Sequence, residues 1–388
     1  MIISTNSYAQ KQRDIDISNL PYYNFGKGVG LTSPDSLFQF NIRFRMQNRF
    51  SYIQNEGEDA AIDGQIRRLR LRFDGFVGSP AFLYVLQLSF APGDVGEIES
   101  GENLNIIRDA VVYYRPSPKW NFGFGQTKLP GNRQRVNSSG ALQLSDRSIS
   151  NARFNIDRDF GFFFNMINEF QNDFSWNFKS AISTGDGRNF TRSPDNGLAY
   201  TGKIELLPFG RFTKDGVFFE GDIIREQKPK LMLSAAYHFN HKAKRIAGVL
   251  GDDLFEPRNL KSLLVDAILK YKGLAIMSSF MTRDVNNPVE QDLTGKTIYI
   301  YKGYGVDLQT SYFISKNWEV IGRISKVNPS SEIKSALPVH HQYTLGFTKY
   351  IWEHAFKIQL EANLDRLSHH NSETKNNIYT RLQIEMGI

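Results

Sequence analysis

Residues 37–52 read Leu-Phe-Gln-Phe-Asn-Ile-Arg-Phe-Arg-Met-Gln-Asn-Arg-Phe-Ser-Tyr. One parity carries Phe38, Phe40, Ile42, Phe44, Met46, Phe50 and Tyr52; the other carries Gln39, Asn41, Arg43, Arg45, Gln47, Arg49 and Ser51. Successive side chains of a strand point to opposite faces, so this segment is a strand with one apolar and one polar face. It runs far beyond the usual length of about 5–6 residues. In a soluble sheet the apolar face packs on a core and the strand then ends. In a transmembrane barrel the apolar face meets lipid and the polar face lines a wet lumen.

The rest of the chain repeats the pattern. Arg68, Arg70, Arg72 and Asp74 alternate with Leu69, Leu71 and Phe73, and Gly78, Ser79 and Pro80 form a turn. Phe82, Tyr84, Leu86, Leu88 and Phe90 give the apolar parity of a third strand. Strand patterns continue at 105–115, 119–128, 157–168, 173–184, 198–208 and 229–240. They resume at 259–272, 273–283, 300–313, 316–328, 339–350, 353–365 and 376–388. The expected fold is all-β: a transmembrane antiparallel β-barrel of about 16 strands.

Short connections near 78–80, 115–119, 169–173, 272–273, 313–316 and 350–353 alternate with long ones. The long ones fall at 53–64, 92–104, 129–156, 185–197, 241–258, 284–299, 329–338 and 366–375. Outer-membrane barrels have short periplasmic turns and long extracellular loops, which places both chain ends in the periplasm. Segment 209–228 breaks the rule, being long on the short side, and reads as an extra hairpin or a plug. Tyr114, Trp120, Tyr271, Trp318, Tyr350 and Trp352 gather at the short-turn ends, as an interfacial girdle requires. Residues 1–9 read as the tail of a secretory signal peptide, on the small-x-small pattern of Ser7, Tyr8 and Ala9. Residues 10–36 then form a periplasmic N-terminal segment and 37–388 the barrel.

Composition agrees. The 388 residues include no cysteine, and 47 basic against 40 acidic side chains give a formal charge of +7. No apolar run reaches the roughly 18 residues of a membrane-spanning helix. A basic balance suits nucleic acid, a membrane surface or anionic solutes. The arginines alternate with aliphatic residues inside strands, which argues against nucleic acid. The seven histidines form no metal or catalytic set: His238 and His241 point to opposite faces of a strand. The acidic 93–102 loop lacks EF-hand spacing, and no nucleophile elbow is present. No cofactor, metal site or enzyme activity is expected.

Several stretches resemble the phosphate-selective porin O and P family. Gly28-Val-Gly-Leu-Thr-Ser-Pro-Asp-Ser-Leu-Phe-Gln-Phe precedes the first strand, and Gly125-Gln-Thr-Lys-Leu-Pro130 ends the fifth. Ser145-Asp-Arg-Ser-Ile149 lies in the following loop, and Arg158-Asp-Phe-Gly161 and Thr184-Gly-Asp-Gly-Arg-Asn189 come after it. Tyr312-Phe-Ile-Ser-Lys-Asn-Trp-Glu319 and Arg323-Ile-Ser-Lys-Val-Asn-Pro329 stand near the C-terminus. The resemblance implies an outer-membrane homotrimer, bathed in lipid and lipopolysaccharide, that passes small anionic solutes such as phosphate. It also implies that loop 129–156 folds inward and constricts the pore with Arg133, Arg135, Arg147 and Arg153. The chain departs from the family in its arginine-rich lining, which replaces a lysine ladder. Its outer loops are acidic, with Glu56, Glu58, Asp59, Asp63, Asp94, Glu97, Glu99 and Glu102.

Arg43, Arg45 and Arg49 share one face, as do Arg68, Arg70 and Arg72, on strands joined by one loop. Each guanidinium would cost roughly 2–4 kcal/mol at the lipid midplane, so the stripes face the lumen or a subunit interface. They form either an electropositive wall that favours anions or a salt-bridge lattice with Asp74, Asp109, Asp159, Glu205 or Glu361. The corresponding functions are an anion-preferring diffusion porin, or a plugged barrel serving as a structural subunit of an envelope complex.

Overall fold

The computed structural model describes residues 28–95, 105–189, 197–370 and 372–388. The signal segment 1–9, most of 10–36, and Glu97, Glu99 and Glu102 lie outside the described residues. Among the described residues, sixteen long strands close into one antiparallel barrel. They are β1 (Phe38–Gln54), β2 (Ala61–Val77), β3 (Ser79–Ser89), β4 (Ile107–Ser117), β5 (Trp120–Lys128) and β6 (Arg158–Asn168). Next come β7 (Ser175–Ser183), β8 (Ala199–Leu207), β9 (Lys230–Arg245), β10 (Asp253–Tyr271) and β11 (Leu274–Val285). The last are β12 (Gly303–Phe313), β13 (Trp318–Pro329), β14 (Val339–Trp352), β15 (Phe356–Ser368) and β16 (Thr374–Gly387).

Each strand pairs with its sequence neighbours, and β16 returns to β1 with Met386 opposite Met46 and Leu382 opposite Phe50. The partnership stops at Arg45, which would leave the start of β1 without a neighbour on that side. A short strand, Val29–Thr32, takes the vacant edge, with Val29 opposite Ile42 and Thr32 opposite Gln39. Closure matters here because an unpaired backbone group costs several kcal/mol in hydrocarbon.

The alternation behaves as a lipid-and-lumen code. On β1, Gln39, Asn41, Arg43, Gln47, Arg49 and Ser51 are buried, whereas Phe38, Phe44, Phe50 and Tyr52 are exposed. Outside, aromatic rings pack in tilted and edge-on pairs across β5 and β6, with Phe124 and Phe162 centroids 4.7 Å apart. Trp120, Trp318 and Trp352 stand exposed at the short-turn ends. Lys349 sits 4.7 Å over the Trp318 ring and donates to Asn317 at 3.3 Å. Tyr350 departs from the girdle: it shares parity with Thr344 and Thr348, is buried, and donates to Glu319 at 2.6 Å inside the lumen.

Two inserts fill the lumen. Loop 129–156, between β5 and β6, turns inward and crosses to the far wall. It contains α1 (Arg133–Val136) and α2 (Ile149–Phe154). Its apolar anchors land on lumen positions that break the polar rule: Phe154 and Ile156 pack with Phe163, Leu264 and Met281. Each such side chain gains about 1.5–3 kcal/mol on burial. At the far wall Leu144 sits over Gly346, where a Cβ would lie 2.3 Å from its Cδ2. Polar bonds complete the crossing: Ser145 donates to Glu361 at 2.8 Å, Lys357 to the Gly140 carbonyl at 2.9 Å, and Thr348 to the Gln143 carbonyl at 2.7 Å.

Segment 209–228 is the second insert. Phe212 packs with Leu207, Met232, Ile268 and Met277 on the wall. Lys270 holds the Gly216 and Gly221 carbonyls at 2.7 and 2.6 Å. Glu220 accepts the backbone N–H of Gln143 at 2.9 Å, so the two inserts touch. Phe219 reaches the β14–β15 turn and stacks on His354 at 4.7 Å. The segment therefore crosses toward the opposite wall near the short-turn end.

Candidate functional site: an arginine-lined lumen

The two arginine stripes are neighbours across the β1–β2 ladder: Arg43 opposite Arg72, Arg45 opposite Arg70, and Gln47 opposite Arg68. Like charges placed directly opposite destabilise a sheet, and carboxylates intervene. Asp74 pairs with Arg43 at 3.3 Å and Arg72 at 3.0 Å. Glu385 pairs with Arg45 at 3.8 Å, and Asp94 with Arg70 and Arg108, each at 2.9 Å. Asp146 of the inward loop takes Arg49, Arg67 and Arg68 together.

Arg67 escapes a strict period-2 reading, which aims it at lipid beside Arg68. A bulge lies between Gln47 and Asn48: Gln47 faces Arg68 and Asn48 faces Ile66, leaving Arg67 as the extra residue. A bulge redirects the side chain it carries. Arg67 thereby reaches Asp146 at 2.8 Å inside the lumen.

On the long-loop side of the inward loop lies a vestibule of about 570 Å³. Ten cationic side chains line it against four carboxylates. Arg67, Arg68 and Arg70 come from the wall, while Arg135 and Arg147 come from the inward loop. Arg108, Lys128, Arg158, Arg188 and Arg381 complete the set, with Asp94, Asp146, Asp157 and Asp365 as the anions. Toward the short-turn end a cavity of about 20 Å³ lies between Arg43, Arg45, Arg70, Arg72 and Glu385. Arg70 lines both spaces. At this step Ser139 of the inward loop accepts from Arg45 at 2.8 Å and Arg70 at 3.0 Å, and Ser138 accepts from Arg45 at 3.0 Å.

The loop arginines divide. Arg135 pairs with Asp157, and Arg147 donates to the Gln134 and Asn137 carbonyls at 2.6 and 3.1 Å, both at the vestibule. Arg133 lies beneath the loop instead, holding the Val217 and Phe219 carbonyls of the second insert. It lines a separate cavity of about 30 Å³ with Lys179, Lys203 and Glu205. Arg153 is exposed, its guanidinium 5.3 Å from the Tyr301 ring, and it does not line the vestibule.

The quoted motifs interlock around this site. Asp159 accepts from Thr184 Oγ1 at 2.8 Å and from the N–H groups of Gly185 and Gly187 at 2.6 and 3.1 Å. Gly187 has φ +91°, and a Cβ there would meet the Val249 carbonyl at 2.3 Å, so the turn demands glycine. Arg158 grips Asp109 through Nε and Nη2 at 3.0 and 3.1 Å. Lys128 donates to the Val136 and Asn137 carbonyls at the end of α1 at 2.6 and 3.1 Å. Ser148 caps α2 by accepting the Asn151 N–H at 3.1 Å. Burial opposes ionisation of the Asp146 loop carboxyl, but Arg67, Arg68, Arg49 and Arg381 hold it well below the ordinary carboxylate range.

A closed sixteen-stranded barrel with an aromatic outer belt and a charged lumen narrowed by an inward loop is an outer-membrane porin, and its place is the bacterial outer membrane. Within that class, residues 40–204 match the family model of phosphate-selective porin O and P, which bears out the resemblance over that stretch; the motifs at 28–40 and 312–329 lie beyond it. No curated protein matches the sequence at a significant level. Among solved structures, the outer membrane channel DcaP of Acinetobacter baumannii is similar at TM-score 0.54 and 12% identity, over 93% of this chain and 100% of that one. The anion-selective porin from Comamonas acidovorans is similar at TM-score 0.56 and 11% identity, over 90% and 100%. The trimer form of OmpT from Vibrio cholerae is similar at TM-score 0.50 and 12% identity, over 89% and 99%. At these identities the likeness is one of fold.

Proposed function

We propose that this porin passes small hydrophilic solutes by diffusion and prefers anions. The observation that carries the reading is the vestibule, with ten cations against four carboxylates. A narrow low-dielectric passage focuses such an excess and raises the local concentration of counter-ions. Guanidinium suits the task because it stays charged and pairs bidentately with oxyanions. The path runs from Arg67 and Arg68, past Arg70 at the Ser138–Ser139 step, to Arg45, Arg72 and Arg43. Phosphate-like anions fit this chemistry. No covalent step is involved: the pore supplies radius, charge and transient hydrogen bonds. The anion-selective porin and the trimeric OmpT among the similar structures support anion preference and a homotrimer, which lipid and lipopolysaccharide would surround. The long loops then face outward and the short turns face the periplasm. Single-channel recording in a salt gradient tests the reading; a reversal potential of cation sign would sink it.

The second reading is a plugged barrel acting as a structural subunit of an envelope complex. It is favoured by the contact between the two inserts and by the small size of the cavities described beneath the vestibule, about 20 and 30 Å³. Purified barrel that incorporates into bilayers without conducting would establish it over the first.

A further inference from the structure

Four guanidiniums from three strands converge on one carboxylate. Arg49 of β1, Arg67 and Arg68 of β2 and Arg381 of β16 all pair with Asp146; Arg67, Arg68 and Arg381 stand at 2.8, 3.3 and 3.5 Å. Arg323 donates to the Asp146 backbone carbonyl at 3.0 Å. The Asp146 side chain keeps 22% of its surface open and lines the vestibule. The Nε atoms of Arg49 and Arg381 are buried without a hydrogen bond. Glu361 takes only Arg381 among them, at 3.4 Å, so two carboxylates stand against four guanidiniums and the cluster keeps a positive excess. An oxyanion drawn into the vestibule competes with Asp146 for the same guanidiniums.

We propose that Asp146 is a tethered counter-ion that sets how tightly this pore retains a passing oxyanion, an inference that rests on the anion-porin reading. With the carboxylate in place, a visiting anion meets donors already engaged and leaves quickly. Weak sites of this kind favour flux over retention. Without the carboxylate, Arg67, Arg68 and Arg381 face a solvated chamber, backed by Arg49, and hold an oxyanion bidentately. Asp146 is thus a specificity-determining residue, beyond its part in fastening the loop.

The test uses the purified full-length barrel in planar bilayers, with chloride as the current carrier and inorganic sulfate as the added probe. Asp146→Asn is expected to lower the half-blocking sulfate concentration by at least about tenfold, the modest end of what focused fields do to local ion concentration. It is also expected to move the reversal potential further toward chloride. Arg67→Gln added to Asp146→Asn should return both readings most of the way, and Asp146→Glu should block like the wild type. Gel mobility before and after heating verifies that each barrel is folded. A folded Asp146→Asn channel with unchanged sulfate block overturns the proposal. So does one whose conductance rises while its chloride preference falls, since Asp146 would then be a fastener only. If Asp146→Asn does not assemble, Arg67→Gln alone must weaken sulfate block, and an unchanged block there overturns the proposal. A wild-type channel without chloride preference would instead defeat the anion-porin reading itself.

Discussion

Arg45 on the barrel wall donates to Ser139 on the inward loop at 2.8 Å. The constriction is therefore built from both partners, a charge fixed by a strand and a hydroxyl carried by a loop. Because Ser139 also accepts from Arg70 at 3.0 Å, the loop holds two like charges side by side.

Neutralising either charge should change selectivity more than stability. Arg45→Gln leaves Glu385 with Lys357 at 3.4 Å, and Arg70→Gln leaves Asp94 with Arg108 at 2.9 Å. Neither carboxylate is stranded, so the stability loss should stay below the about 3–5 kcal/mol of a buried charge left unpaired. The anion preference should fall roughly two- to fivefold, as expected when a focused field loses one fixed charge. Reversal potential and the heating midpoint on gels, measured on the same variant, check both halves.

Arg158→Gln should do the opposite to stability. Its two bonds to Asp109 and its contact with Asp157 at 3.2 Å lie in a buried site. Removing one partner of such a pair costs about 3–5 kcal/mol. The folded band on gels should disappear at a markedly lower temperature than for the wild type.

The second insert should restrict current. Excising residues 214–221 removes the strip bearing the Gly216 and Gly221 carbonyls that Lys270 holds, together with Glu220. Single-channel conductance is expected to rise severalfold. A folded barrel with unchanged conductance would place the segment outside the solute path.

Acid should leave the Asp146 fastening intact over a wide range. Its folded carboxyl lies below the usual carboxylate value, which is about 3.9 for an unfolded aspartate. The stability it contributes is complete above that value and is lost only as pH falls through the depressed folded one. Between pH 7 and about pH 4 this pairing should persist. Sulfate block recorded across that window should show no step attributable to Asp146, judged against Asp146→Asn.

Topology is checked with single cysteines, since the chain has none. Thr294, in a long loop between β11 and β12, should label in intact cells, and Lys316, in a short turn, should not. The reverse pattern would invert the barrel in the membrane.

The strands were legible because lipid and water impose opposite demands on alternate residues. Tyr350 was legible too: its parity with Thr348 already placed it inside, and its nearness to Trp352 disguised that. Arg67 was hidden because a bulge opposite Gln47 shifts the phase by one residue, and single-strand periodicity carries no register. The landing sites of the inserts had a signal of their own. On β10, Leu260, Leu264 and Ile268 are apolar on the parity that also holds Asp266 and Lys270, and all are buried. A strand apolar on both faces has lipid on one side and packed protein on the other. The partners of Asp146 had no such signal, because Arg49, Arg67, Arg68 and Arg381 meet it from strands far away in the sequence.

The short strand Val29–Thr32 has a consequence for how the molecule is made. It lies end to end with β16 along the same flank of β1, beside the last residue, Ile388, whose N–H donates to the Phe44 carbonyl at 3.0 Å. Residues 29–32 and 378–387 are thus stitched to a single ribbon, β1, although they lie far apart in sequence. Contacts so remote in sequence form late, since the intervening chain must first be organised. The ring is therefore expected to snap shut as the final event of biogenesis. Bulky cargo fused close to residue 29 would interfere at that moment rather than with the finished channel.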